Sequence, residues 1–220
     1  MNNIKDYKSK ELVYLAISNL LIWSYFNIDN LSTVDISVMS TLLEATIMFG
    51  AIQMIVFILD AIYSDKAKNR LIWAKQCLPG EVVFSKVIPE HEDIRIDNEI
   101  VKKEYVDIYK NMPSAIKDKK KYENREWYRL YNKYEQNSKV YFSQRGWLLC
   151  RDIYVGYFTS LVCYLLLQAA VDKQNISFEF IGYLLIMLII SNIAARIKSK
   201  RFVLNVIAVD LANREIGQSV

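Results

Sequence analysis

The apolar residues of this chain are gathered into four runs, at 12–28, 36–59, 153–171 and 178–193, and few charges fall inside any of them. Crossing about 30 Å of hydrocarbon takes roughly 20 helical residues at about 1.5 Å each, so the runs have the length of membrane spans. The pattern predicts an all-α membrane protein with four transmembrane helices in two hairpins. Composition agrees with the clustering: 53% of the 220 residues are hydrophobic and 24% charged, and most charges lie between the second and third runs. The first run lacks an A-x-A-type site and is followed at once by a second span, so it reads as a retained helix rather than a cleaved signal peptide, with Met1 kept.

Basic residues set the expected orientation. Lys5, Lys8 and Lys10 precede the first run, residues 63–149 hold 18 Lys/Arg against 13 Asp/Glu, and Arg196, Lys198, Lys200, Arg201 and Arg214 follow the last. The connections at 29–35 and 172–177 hold only Lys173. Both termini and the central segment are therefore expected in the cytoplasm, on a multi-pass protein of the inner membrane. The implied division is 1–62 as the first transmembrane hairpin, 63–149 as a cytoplasmic insertion, 150–195 as the second hairpin and 196–220 as a cytoplasmic C-terminal helix. The net charge of +4 follows from that orientation without a nucleic-acid partner. Cys77, Cys150 and Cys163 fall on the cytoplasmic side or within a span, where pairing is not expected.

Inside the insertion, residues 60–78 lack Gly and Pro and predict a helical stem continuing the second span, stopped by Leu78-Pro79-Gly80. The β-branched stretch 81–88 reads as a short strand or an extended arm. Asp97 is placed to cap a helix with Ile100, Val101, Tyr105, Ile108 and Tyr109 on one stripe, bounded by Pro113. The Lys-rich tract 117–121 reads as a solvated charge run, followed by a helix over 123–135 that carries Trp127, Tyr128, Leu130, Tyr131 and Tyr134. From Ser138 a helix runs into the third span, with Gly146 as its one candidate break. Residues 202–212 are apolar but too short to cross again, so they either lie at the interface or pack on the stems.

Chemistry-bearing motifs are sparse. Six glycines form no phosphate loop or dinucleotide fingerprint, and no G-x-S-x-G or H-E-x-x-H occurs. His91, the only histidine, has Glu90, Glu92 and Asp93 beside it but no second His or Cys at ligand spacing, and reads as an exposed loop rather than a zinc site. The expectation is a non-enzymatic protein without cofactor or metal. Glu44 is an acid inside a span, with Ser37, Ser40 and Thr41 on its helical face. It either lines a water-filled vestibule or snorkels and bonds to a neighbouring helix. Gln53 and Asn192 are intramembrane amides of the kind that join helices. Arg151 and Asp152 mark the membrane interface or join a stem ion-pair network. The segment 117–129, with Tyr122, Trp127 and Tyr128 among its basic residues, suits anionic lipid or solvent better than nucleic acid.

The spans at 12–28, 154–171 and 183–193, Glu44, and the aromatic run Trp127-Tyr128-Arg129-Leu130-Tyr131 together resemble the layout of small four-span membrane proteins of bacterial antiviral defence systems, such as the membrane component of Kiwa-type systems. The resemblance covers the layout of the whole chain and involves no diagnostic motif. It implies a homo-oligomeric membrane sensor or effector that works with a separate cytoplasmic protein, for which Trp127, Tyr128, Arg129 and Tyr131 are candidate contacts. The alternative is an ion channel or transporter subunit with Glu44 on the ion path, and Ser40, Thr41, Glu44, Gln53 and Asn192 at the pore or at helix interfaces.

Overall fold

The structure is a computed structural model that describes residues 17–19, 21–22, 54, 58–59, 61–74, 77–170 and 178–218. Helices dominate, and no strand occurs among the described residues. Among the described residues the complete α-helices from residue 65 onward are α1 (Asp65–Trp73), α2 (Asn98–Glu104), α3 (Val106–Lys110), α4 (Ile116–Tyr134), α5 (Ser138–Ala170) and α6 (Phe178–Gln218). Two of them, α5 and α6, contain segments long and apolar enough to cross a membrane. The first two expected spans lie almost wholly outside the described residues. The chain divides into two compact units, Met1–Ile72 with Leu149–Ala194, and Trp73–Leu148 with Ala195–Val220.

In the first unit, Tyr157, Leu161 and Tyr164 of α5 pack on Phe180 and Leu184 of α6, with Ile22 against the same cluster. The Tyr183 hydroxyl donates to Asn19 Oδ1 at 3.1 Å, so the buried Asn19 is tied to α6. On the other side of α6, Leu185, Ile186, Ile189, Ile190 and Ile193 remain exposed. The stem predicted over 60–78 is broken at Tyr63 and Ser64. Ser64 Oγ accepts the Ala67 N–H at 3.2 Å and starts α1 as a separate helix, because a short hydroxyl side chain competes for the first-turn donors. The helix then ends at Trp73, and Ala74 turns away at φ 49°, a left-handed conformation that costs an L-residue about 1 kcal/mol.

The second unit is built on α4. Its buried face carries Glu123, Trp127 and Tyr131, spaced at i, i+4 and i+8. Trp127 stacks on Tyr131 at 5.8 Å and meets the edge of Phe202 from α6 at 5.4 Å. Residues 202–211 are thus the buried seam of this unit, packed on α4 through Phe202 and bonded to α5 through Asn205, whose amide donates to Ser143 Oγ at 2.9 Å. Leu78 is extended before Pro79, and a 3₁₀ turn (Pro79–Val82) leads into a single π turn (Val83–Val87) where a strand or arm was expected. The buried residues Val83, Phe84, Val87 and Ile88 recur at i, i+1, i+4 and i+5, a helical spacing rather than the alternation of a strand. Gly80 lets this segment approach α4, since a Cβ there would sit 2.9 Å from Asn124 Oδ1.

Asp97 caps α2 as expected, accepting the Glu99 N–H at 2.7 Å. The single helix expected beyond it is two, parted at Tyr105, whose backbone leaves the helical region at φ −110°, ψ 27°. Tyr105 is fully buried, with its ring 5.5 Å from Phe84 and its hydroxyl bonded to Asp210, which holds the kink in place. The charge run 117–121 belongs to the exposed start of α4. Asn137 Oδ1 caps α5 through the Lys139 N–H, and the helix passes Gly146 unbroken.

Trp127→Ala removes the ring that joins α4 to Phe202, and the expected loss is about 3 to 5 kcal/mol of stability. A fluorescence or light-scattering melt of the full chain in detergent checks this. A wild-type midpoint would mean that the ring is not a structural anchor.

Candidate functional site

Along α4 a cation stands at every fourth position: Lys117, Lys121, Arg125, Arg129 and Lys133. Such residues are neighbours on a helix surface and repel one another unless an acid intervenes. Glu126 supplies that acid between two of them. Arg125 Nε donates to one of its oxygens at 3.1 Å and Arg129 Nη1 to the other at 3.0 Å. The Glu126 side chain is only 11% exposed, whereas those of Arg125 and Arg129 are 68% and 75% exposed. One carboxylate at depth thus holds two guanidinium groups that keep donors turned toward solvent.

These residues form one wall of a cleft of about 700 Å³. Glu104, Asp107, Ile108 and Asn111 of α2 and α3 and the turn that follows form the facing wall, and Tyr105 and Arg214 line it at greater depth. Beneath it lies Asp210, fully buried on α6. Its carboxylate accepts from the Tyr105 hydroxyl at 2.7 Å, the Tyr134 hydroxyl at 2.9 Å and Arg214 Nε at 2.7 Å, with Lys133 Nζ 3.5 Å away. Burial pushes this carboxyl upward, but the bonds from Tyr105, Arg214 and Tyr134 outweigh burial and hold it below the usual aspartate value of 3.8. The same burial, together with the adjacent carboxylate, drives the Tyr105 phenol far above its ordinary range, so it stays a donor. Arg214 also donates to the Glu104 carbonyl at 3.2 Å and lies over the Tyr105 ring at 4.9 Å.

A second polar cluster sits in the first unit. Asp152 Oδ1 is 3.3 Å from Lys68 Nζ and accepts from Arg151 Nε at 3.1 Å, while Arg151 Nη1 lies 2.9 Å from Asp65. Of the two roles open to Arg151 and Asp152, an ion-pair network is present and its Lys68, Arg151 and Asp152 are buried, where loss of one partner is far costlier than at a surface.

Asn192 joins helices, its amide donating to the Ile72 carbonyl at 3.3 Å, and the Tyr154 hydroxyl donates to the Leu71 carbonyl at 3.3 Å. Both carbonyls belong to the last turn of α1, which lacks internal partners. Ser40, Thr41, Glu44 and Gln53 lie outside the described residues. Of the aromatic run, Trp127 and Tyr131 are buried, whereas Tyr128 and Arg129 are exposed. Beside His91, whose Nδ1 accepts the Asp93 N–H, a hydrogen bond from Arg95 holds the Asp93 carboxyl at about 2. Asp210 was not foreseen as a site residue. The available signal was a lone acid inside an apolar run with Arg214 four residues later. Compared with protein-family models, with curated proteins and with solved structures, the chain matches none.

Proposed function

We propose that this chain is a four-span inner-membrane sensor or effector, non-enzymatic and self-associating, whose charged helical unit receives a cytoplasmic signal. The observation that carries the membrane part is the apolar stretch of α6. Its Ile186 and Ile189 are 59% and 61% exposed, whereas the core helix of a water-soluble protein would bury such residues. Hydrocarbon chains are the solvent that fits this face, and no charge interrupts the helix between Glu179 and Arg196. The basic flanks favour cytoplasmic termini, and the polar cleft supports a receiving role for the second unit. Ala45, Gly50 and Ala51 in the sequence are of the small type that allows close helix approach, which suits packing between copies as well as within one. The layout shared with membrane components of antiviral defence systems makes defence the favoured context.

Fusion of a reporter active only outside the membrane to Val220 is expected to give no external activity, and strong activity would reverse the orientation. In nanodiscs the protein is expected to run as more than one copy, and a monodisperse monomer would remove self-association. An ion current across planar bilayers that Glu44→Gln abolishes would replace the sensor reading with a channel.

A further inference from the structure

We propose that the cleft between α4 and α2–α3 is a binding site for a soluble phosphate ester of nucleotide size. This rests on the reading of the second unit as the receiver of a signal, and it names the chemistry of that signal. The cleft's volume, about 700 Å³, lies within the range of roughly 300 to 1,000 Å³ typical of small-molecule sites.

Charge in the cleft is layered by depth. The lining acids Glu126 and Glu104 have side chains 11% and 16% exposed, Asp210 beneath them is wholly buried, and all three already accept hydrogen bonds from cations. The cations Arg125, Arg129 and Lys133 stand at the mouth with side chains 68%, 75% and 62% exposed. A ligand arriving from water therefore meets donors and positive charge first, although the lining charges nearly cancel in sum. Glu126 accepts one hydrogen bond from each guanidinium group and so keeps both at this cleft. Two guanidinium forks and an ammonium one turn farther along are a recurrent arrangement for phosphate oxygens. Asp107, exposed on the facing wall, is the acid left at the mouth, and it selects a ligand that also carries hydroxyl or amino donors. A nucleotide has both parts, phosphates for α4 and sugar or base donors for Asp107. Inorganic phosphate alone would use only one wall.

The test uses the full chain in detergent, with adenosine triphosphate, guanosine triphosphate and inorganic pyrophosphate as probes for calorimetry and melting shifts. At least one nucleotide is expected to bind saturably and more tightly than pyrophosphate. Arg129→Gln, and Arg125→Gln likewise, should weaken that binding by about tenfold or more, since each removes a charge-assisted bond. Lys117→Gln and Lys121→Gln, exposed on the same helix outside the cleft, should leave it unchanged. Equal loss in all four variants would mean diffuse attraction to α4 and overturn the site. Binding only to phosphatidylglycerol vesicles would assign the basic residues to the membrane surface and also overturn it. The assay needs neither a particular orientation nor a particular subunit number. Its failure is therefore distinguishable from failure of the membrane sensor reading, which the Val220 reporter and the nanodiscs test.

Discussion

Asp210→Ala is expected to lower the stability of the second unit by about 3 to 5 kcal/mol, the range found when one partner of a buried ion pair is removed. The carboxylate is fully buried and serves as the common acceptor for Tyr105, Tyr134 and Arg214. Without it two phenolic hydroxyls lose their acceptor and a guanidinium loses its closest counter-charge. Lys133 adds little, because its side chain is 62% exposed and 3.5 Å distant. Asp210→Asn keeps an acceptor for the tyrosines and should lose less. The check is the midpoint of denaturant unfolding of the full chain in detergent, followed by tryptophan fluorescence. An Ala variant as stable as wild type would show that the cluster is dispensable.

The same residue predicts a pH dependence. Its pKa in the folded protein lies below the ordinary 3.8, so the unfolded chain takes up the proton first as pH falls. The stabilisation is complete above that ordinary value and disappears as pH drops through the folded value. Arg214, Lys133, Tyr105 and Tyr134 face the carboxylate, and none of them is an acid that titrates in the carboxylate range. Asp210→Asn should therefore flatten the loss of stability below about pH 4. An unchanged acid limb in that variant would assign the limb to other carboxylates.

Glu123→Ala is the second large effect, with an expected loss of about 3 kcal/mol or more, given about 1.5 to 3 kcal/mol for each hydrogen bond to a charged group. Glu123 Oε2 accepts the N–H groups of Phe84 and Ser85 at 2.8 and 3.0 Å, and the side chain is wholly buried. Its removal strands the Phe84 N–H, a buried donor, and frees the π turn that brings Phe84 against Tyr105 and Tyr109. Glu123→Gln keeps one acceptor and should lose less. Amide exchange at Phe84 and Ser85 should accelerate strongly in the Ala variant. Wild-type protection there would mean that the turn is held by its apolar residues alone.

Some of this was legible in the linear chain, because the forces concerned act between near neighbours. The Asp97 cap, the helix through Trp127 and Tyr131, and the start of a long helix at Ser138 follow from spacing and capping chemistry, whereas the candidate break at Gly146 does not occur. The two long apolar helices follow from the length of hydrophobic runs. The stretch 81–88 also carried its own signal, since its apolar residues were spaced for a helix while their β-branched type suggested a strand. Spacing was the better guide there, because burial on one side selects the period and side-chain preference adjusts to it.

Three-dimensional packing decided most of the rest. Ser64 divides a stretch that reads as one continuous stem through a capping bond three residues long that the spacing of apolar residues does not show, whereas Tyr105 kinks a stripe that reads as one helix because it meets a distant partner. Tyr105 finds Asp210 across 105 positions of sequence, Phe84 and Ser85 find Glu123 across 39 and 38, and Lys68 finds Asp152 across 84. A charged residue in a linear pattern reads as a solvated surface group. Only the fold brings donors from distant segments around it, and those donors make burial of a charge tolerable. The sequence by itself thus determined the helices and where apolar and charged material lies. The tertiary structure determined which of the charges are internal, and with them the shape and polarity of the cleft.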